Sequence, residues 1–155
     1  METKVRHITQ APVQTGTPAS IANPIRPEQF ADKYEAQLTK LVDVTQFGVN
    51  HVKLEPGAIS SLRHWHEGED ELVYVLSGEL ALIDDNGEHV LQEGSFVGFP
   101  AGRANAHHLI NKSAAPAVFL AIGTRKVGEE VIHYPDDAIG PVKVRRDAKG
   151  NRVVP

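Results

Sequence analysis

The segment Arg63-His64-Trp65-His66-Glu67-Gly68-Glu69-Asp70-Glu71 gathers two imidazoles and a run of carboxylates in one short stretch. On a β-strand, where side chains alternate, His64 and His66 point to the same face. Glu71 then opens the apolar, β-branched run Leu72-Val73-Tyr74-Val75-Leu76, which reads as the next strand and ends at Ser77-Gly78. Two imidazoles on one strand and a carboxylate entering its neighbour can converge on a single cation. That requires neutral imidazoles and an ionised carboxylate, their ordinary states near pH 7. Taken alone, the same residues fit equally well a surface strand with two solvated histidines beside an acidic loop.

A second segment bears on that choice. Gly94-Ser95-Phe96-Val97-Gly98-Phe99-Pro100-Ala101-Gly102 leads into Arg103-Ala104-Asn105-Ala106-His107-His108-Leu109-Ile110-Asn111. Together the segments resemble the cupin superfamily, whose first motif orders G, HxH, E, G and whose second orders G, PxG, H, N. Here the first is Gly57, His64, His66, Glu71 and Gly78; the second is Gly94, Pro100, Gly102, His107 and Asn111. One residue is added between Gly57 and His64 and two between Gly102 and His107, both in expected loops. The resemblance runs from Gly57 to about Arg125. It implies one divalent transition-metal ion per chain, bound by His64, His66, Glu71 and His107. His107 is preferred to His108 because its step to Asn111 matches the family and, being even, puts both on one strand face. A β-bulge in the inserted loop would shift that register by one and present His108 instead.

The chain has no cysteine, so any metal is held by nitrogen and oxygen. Three imidazoles and a carboxylate on an octahedral ion leave two positions for water, oxygen or a bidentate substrate. Such a donor set suits Fe, Mn, Ni or Zn and permits Lewis-acid or redox work. The resemblance therefore implies a metal-dependent enzyme on a small oxygen-rich organic molecule, of dioxygenase, decarboxylase or isomerase type. The alternative is a non-catalytic module that binds or senses a small ligand anchored by the metal. A metal-free epimerase of the same fold is disfavoured by the full ligand set. No GxSxG elbow, P-loop or GxGxxG fingerprint supports serine-nucleophile or nucleotide chemistry.

The elements that must position these residues are short strands. From about Gln37 the apolar pattern alternates, giving strand candidates at 38–44, 47–54, 59–66, 71–76, 79–84, 88–91, 95–99, 106–111 and 117–125. Ser77-Gly78, Asp84-Asp85-Asn86-Gly87, Gly94 and Pro100 punctuate them as turns. Strands at this spacing without helices predict an all-β antiparallel sandwich or barrel. The cupin resemblance sharpens this to a double-stranded β-helix, a jelly-roll barrel over residues 37–125. Residues 1–36 read as an N-terminal arm, with a short helix starting at Pro27-Glu28-Gln29-Phe30. Residues 126–155 read as a C-terminal tail on the barrel or a partner, with Val142-Lys143-Val144-Arg145 as an edge strand.

At 155 residues, 41% hydrophobic, with 13 glycines and 10 prolines, the chain suits one domain of short strands and turns. A net charge of -4, with no basic stripe, speaks against a nucleic-acid partner. No signal-peptide core or membrane-length apolar run is present, so a cytoplasmic location is expected and no membrane partner. A small-molecule ligand and a second copy of the chain are the expected partners. The arm and tail lack a core of their own, and docking them over edge strands would bury Ile21, Ile25, Phe30, Val142 and Val144 in a symmetric homodimer. Trp65 alternates away from the ligand face and reads as core or interface. Glu67, Glu69 and Asp70 read as a solvated loop, from which one carboxylate can orient a ligand imidazole. Arg63 and Arg103 fit either surface positions or an acidic substrate, while His7, His51, His89 and His133 carry no assigned role.

Overall fold

The structure, a computed structural model, describes residues 2–15 and 30–153. In chain order its elements are β1 (Gln14–Thr15), β2 (Lys33–Gln37), α1 (Leu38–Leu41), β3 (Phe47–Leu54), β4 (Trp65–His66) and β5 (Glu71–Ser77). They continue with β6 (Leu80–Asp84), β7 (Gly87–Leu91), β8 (Phe96–Phe99), β9 (His108–Ile110), β10 (Ala117–Thr124), β11 (Gly128–His133), β12 (Val142–Arg146) and β13 (Arg152–Val153). Every strand pair is antiparallel. The strands form sheets ordered β1-β2-β3-β10-β5-β8, β13-β12-β11-β4 and β7-β6-β9. The result is an all-β jelly-roll barrel. Its core fills from alternating positions: Val52 and Leu54 on β3, Val73 and Val75 on β5, Leu80 and Leu82 on β6, and Phe119 on β10 all sit buried together.

The turns follow the local chemistry. Asp84 pairs with Gly87 across a two-residue hairpin whose Asn86-Gly87 supplies the positive φ at Gly87. Gly78, at φ 80°, has no room for a side chain: a Cβ there would lie 2.7 Å from the Pro116 carbonyl oxygen.

Several strand expectations need correction. Residues 38–44 are not a strand: Leu38–Leu41 is a helical turn, and the strand before it is β2. Leu38, Leu41 and Val42 stand at helical spacing, which outweighed the alternation read across them. Thr39 fixes the turn by accepting the Val49 N–H at 3.2 Å. Of 59–66 only Trp65–His66 is ladder; Ile59 and His64 make isolated bridges to Ile110 and His107. The segment at 142–146 is no edge, because β12 lies between β11 and β13. β11 itself went unread. β2 crosses the expected boundary between arm and barrel, pairing along β3 from Lys33↔Leu54 to Gln37↔Asn50. The expected helix start at Pro27, with Ile21 and Ile25, lies outside the described residues, except that Phe30 is buried against Ile59 and Leu62.

Candidate metal centre

His64 and His66 leave the chain on one face as it enters β4, and Glu71 is the first residue of β5. The loop between them is pinned by side-chain bonds; Glu67 and Asp70 stay exposed, as expected, while Glu69 is buried. Glu67 pairs with His133 at 2.7 Å, Glu69 takes the guanidinium of Arg146 through contacts of 3.0–3.1 Å, and Asp70 accepts the Ala101 N–H at 2.7 Å. The Asp70 N–H in turn donates to Thr124 Oγ1 at 3.2 Å. These ties fix where Glu71 begins its strand. The backbone bridge between His64 and His107, with N–H···O distances of 3.2 and 3.0 Å, brings the second motif onto the first.

Four side chains thereby meet. Nε2 of His64, His66 and His107 lies 3.7, 3.4 and 2.7 Å from the Glu71 carboxylate oxygens. Donors bound about 2.1 Å from one ion stand roughly 3 Å apart when cis; each imidazole lies near that spacing from Glu71, while His107 falls outside the group whose ligand atoms are all mutually close. Among the described residues, His64, His66 and Glu71 form one group with ligand atoms close enough to hold a metal. The imidazole tautomers agree. His64 Nδ1 donates to the Leu62 carbonyl at 2.8 Å and His107 Nδ1 to the Asn105 carbonyl at 2.9 Å. A carbonyl cannot donate, so Nδ1 carries the hydrogen and the Nε2 lone pair faces inward. His66 Nδ1 meets the Glu130 carboxylate at 3.2 Å, the carboxylate–histidine arrangement that orients metal-binding imidazoles. His107 is further held by stacking on Phe99, with ring centroids 3.5 Å apart.

The site's electrostatics follow from this packing. Burial would raise the Glu71 carboxyl, but its close contacts with the His107, His64 and His66 side chains hold it well below the usual carboxylate range. Burial lowers His64 and outweighs its contact with Glu71, leaving the imidazole disposed to be neutral. His66 goes the other way: burial opposes its charge, yet Glu130 and Glu71 together raise it to about 9. Glu130 is itself ionised more readily than usual, because its bond to His66 overrides burial.

His108, the alternative to His107, turns away and binds the Ser61 carbonyl through Nδ1 at 2.9 Å. Trp65 stacks on His133 at 4.0 Å on the face opposite the ligands. None of Glu67, Glu69 or Asp70 bonds a ligand imidazole; Glu130 does, from β11. Glu69 and Glu130 also lie close enough to His66 to form a second candidate metal group, but the Glu69 oxygens are taken by Arg146. Arg63 is a structural clamp on Asp85, Asp136 and the Ala106 carbonyl, and Arg103 is exposed. Tyr134 went unread as well. Its ring lies 5.8 Å from that of His64, and its hydroxyl makes no hydrogen bond among the described residues.

The four groups face a cavity of about 550 Å3 inside the barrel, also lined by Phe99, Tyr134, Arg125, Arg146 and Arg152. A jelly-roll barrel with histidines and a glutamate converging in its interior defines a class of β-barrel protein. The chain belongs to the cupin superfamily. The Cupin domain model matches residues 50–123. A solved cupin named as a sugar phosphate isomerase, from Silicibacter pomeroyi, is 35% identical over 94% of this chain and 95% of its own, with a TM-score of 0.79. A protein from Acidithiobacillus ferrooxidans, provisionally named a sugar phosphate isomerase, is 31% identical over 78% of this chain and 74% of its own, with a TM-score of 0.66. A predicted oxalate decarboxylase from Thermotoga maritima is 26% identical over 60% of this chain and 79% of its own, at 0.52. No curated protein matches. Among the described residues no helix is long and apolar enough to cross a membrane.

Proposed function

We propose that this chain is a metal-dependent cupin enzyme acting on a small oxygen-rich molecule, with isomerisation of a hydroxy-carbonyl compound as its reaction. His64, His66, Glu71 and His107 hold one divalent transition-metal ion. The observation that carries this reading is the aim of three Nε2 atoms at one carboxylate, each imidazole oriented by a bond through its Nδ1. When bound, the ion supplies Lewis-acid polarisation of a substrate oxygen. Tyr134 lines the same cavity, its hydroxyl makes no hydrogen bond among the described residues, and it would hold a proton on a substrate oxygen. Burial raises its pKa, keeping the phenol protonated. Isomerisation is preferred to decarboxylation or oxygenation because the two relatives above 30% identity bear the name sugar phosphate isomerase.

The test is solvent exchange. Incubated in D2O with a panel of aldose and ketose phosphates, metal-loaded protein is expected to interconvert one pair and wash deuterium into the carbon beside the carbonyl. Saturable binding of these compounds with no exchange would replace the enzyme reading with that of a binding module.

We also propose a symmetric homodimer. Leu72, Tyr74 and Leu76 of β5 and Phe96 of β8 are exposed on the outer face of the six-stranded sheet, with Tyr74 and Phe96 directly paired. Such a contiguous apolar face suits burial against a second copy. Light scattering of the full chain should give a dimeric mass at micromolar concentration, and Tyr74→Glu should shift it to monomer. A monomeric wild type would contradict the dimer.

A further inference from the structure

Gly48, Gly123, Glu71 and Phe99 stand directly opposite one another on β3, β10, β5 and β8, in one row across the sheet. Residues so paired share a face, and this row carries the ligand Glu71. The two glycines leave a gap in the row, which the side chain of Arg125 fills. A Cβ at Gly48 would collide with the Arg125 guanidinium, and one at Gly123 would lie 3.3 Å from Arg125 Nη1. Bare backbone on two adjacent strands thus seats a guanidinium beside the candidate metal centre. Yet Arg125 has no carboxylate partner among the described residues; its side chain bonds only the Thr124 carbonyl, at 3.2 Å.

Arg152, on β13, lines the same cavity and makes no hydrogen bond or ion pair among the described residues. The third guanidinium there, Arg146, is spent on Glu69 and on the Gly150 carbonyl. The acidic groups near the two free cations are likewise committed, Glu69 to Arg146 and Glu71 to the histidines. Arg125 is half-buried and Arg152 lies exposed at the cavity rim, and two like charges lining one cavity repel each other unless an anion joins them. Burial, then repulsion from Arg146, lowers the pKa of both and outweighs the opposing pull of Glu69 and Glu71. The planar fork of arginine matches phosphate and carboxylate oxygens.

We propose that Arg125 and Arg152 form a subsite for the phosphoryl or carboxylate group of a small molecule whose other end reaches the candidate metal centre. The position of that reactive end rests on the function proposed above; the anion subsite stands on its own residues. The row of glycines exists to seat Arg125, and the C-terminal segment exists in part to supply Arg152.

The test separates the two claims by using full-length protein stripped of metal, so that no ion can bind the anion. Inorganic phosphate and acetate are titrated by calorimetry at low ionic strength, and whichever binds more tightly names the source of the charge. Wild type should bind saturably, while Arg152→Gln and Arg125→Gln should each weaken binding at least tenfold without lowering the melting temperature enough to indicate unfolding. Arg103→Gln, at an exposed position, should bind like wild type. His107→Ala, equally stripped of metal, should keep wild-type anion affinity; a loss there equal to that of Arg152→Gln would place the anion at the candidate metal centre and overturn the subsite. Absence of saturable binding for both anions, or equal affinity in wild type and both cavity variants, would overturn the proposal.

Discussion

Replacing His107 with alanine should remove most of the bound metal while leaving a folded barrel. His107 supplies the shortest contact to Glu71, 2.7 Å, and its ring packs on Phe99 at the edge of the core cluster without being part of that cluster. Losing an outer partner of a metal ligand commonly costs about 10–100-fold in affinity. Loss of a ligand itself should exceed that. His66→Ala is the less clean variant. It strands the Glu130 carboxylate, which is 2% exposed and already has one oxygen without a hydrogen bond. An uncompensated buried charge destabilises by about 3–5 kcal/mol, so metal loss there would be mixed with unfolding. Equilibrium dialysis with a divalent metal, read beside a thermal melt, decides the matter. Full stoichiometric metal in a folded His107→Ala protein would remove His107 from the ligand set.

Metal uptake near neutral pH should release close to one proton per ion, and affinity should climb about tenfold per pH unit from pH 7 towards 9. The proton comes from His66. Without metal, Glu130 and Glu71 hold its pKa at about 9, above the reference near 6.5, despite burial. A group raised on folding stabilises the folded state fully below its unfolded pKa, and that contribution is lost as pH rises through the folded value. The metal-free barrel therefore loses stability between about pH 6.5 and 9, while protons stop competing with the ion over the same window. The increment in melting temperature produced by metal should grow across it. Calorimetry in two buffers of different ionisation enthalpy gives the proton count directly. A flat increment from pH 6.5 to 9, with no proton released, would contradict the coupling of His66 to Glu130.

The residues legible in the sequence are those whose signal is local. His64, His66 and Glu71 announce themselves because strand alternation converts spacing into facing direction, whereas His107 comes from the family resemblance, its even step to the buried Asn111 favouring it over His108. β3, from Phe47 to Leu54, coincides with the expected strand although its apolar residues change face between Val49 and Val52; the buried face runs through Gly48, Val52 and Leu54. The groups that went unread arrive from far along the chain. Glu130 reaches His66 across 64 residues and Arg146 reaches Glu69 across 77, and no periodicity links such positions. One signal was available for each. Glu130 shares a strand face with Ile132, and Arg146 shares one with Val142 and Val144, so both are charges on otherwise apolar faces. A charge at such a position asks for a buried partner. Within the acidic loop Glu67 and Asp70 are exposed as expected, while buried Glu69 was misjudged for the complementary reason: its partner Arg146 lies on β12, far along the chain.

The central claim is that one divalent ion sits among His64, His66, Glu71 and His107, and X-ray absorption at the metal edge tests it most directly. The sample is full-length protein purified without an affinity tag and reconstituted with Mn, Fe, Ni or Zn. The account predicts one ion per chain, with a first shell of nitrogen and oxygen at about 2.1 Å and outer-shell scattering from three imidazole rings. A protein that retains no metal after reconstitution, or a bound ion whose spectrum lacks imidazole scattering, would contradict it.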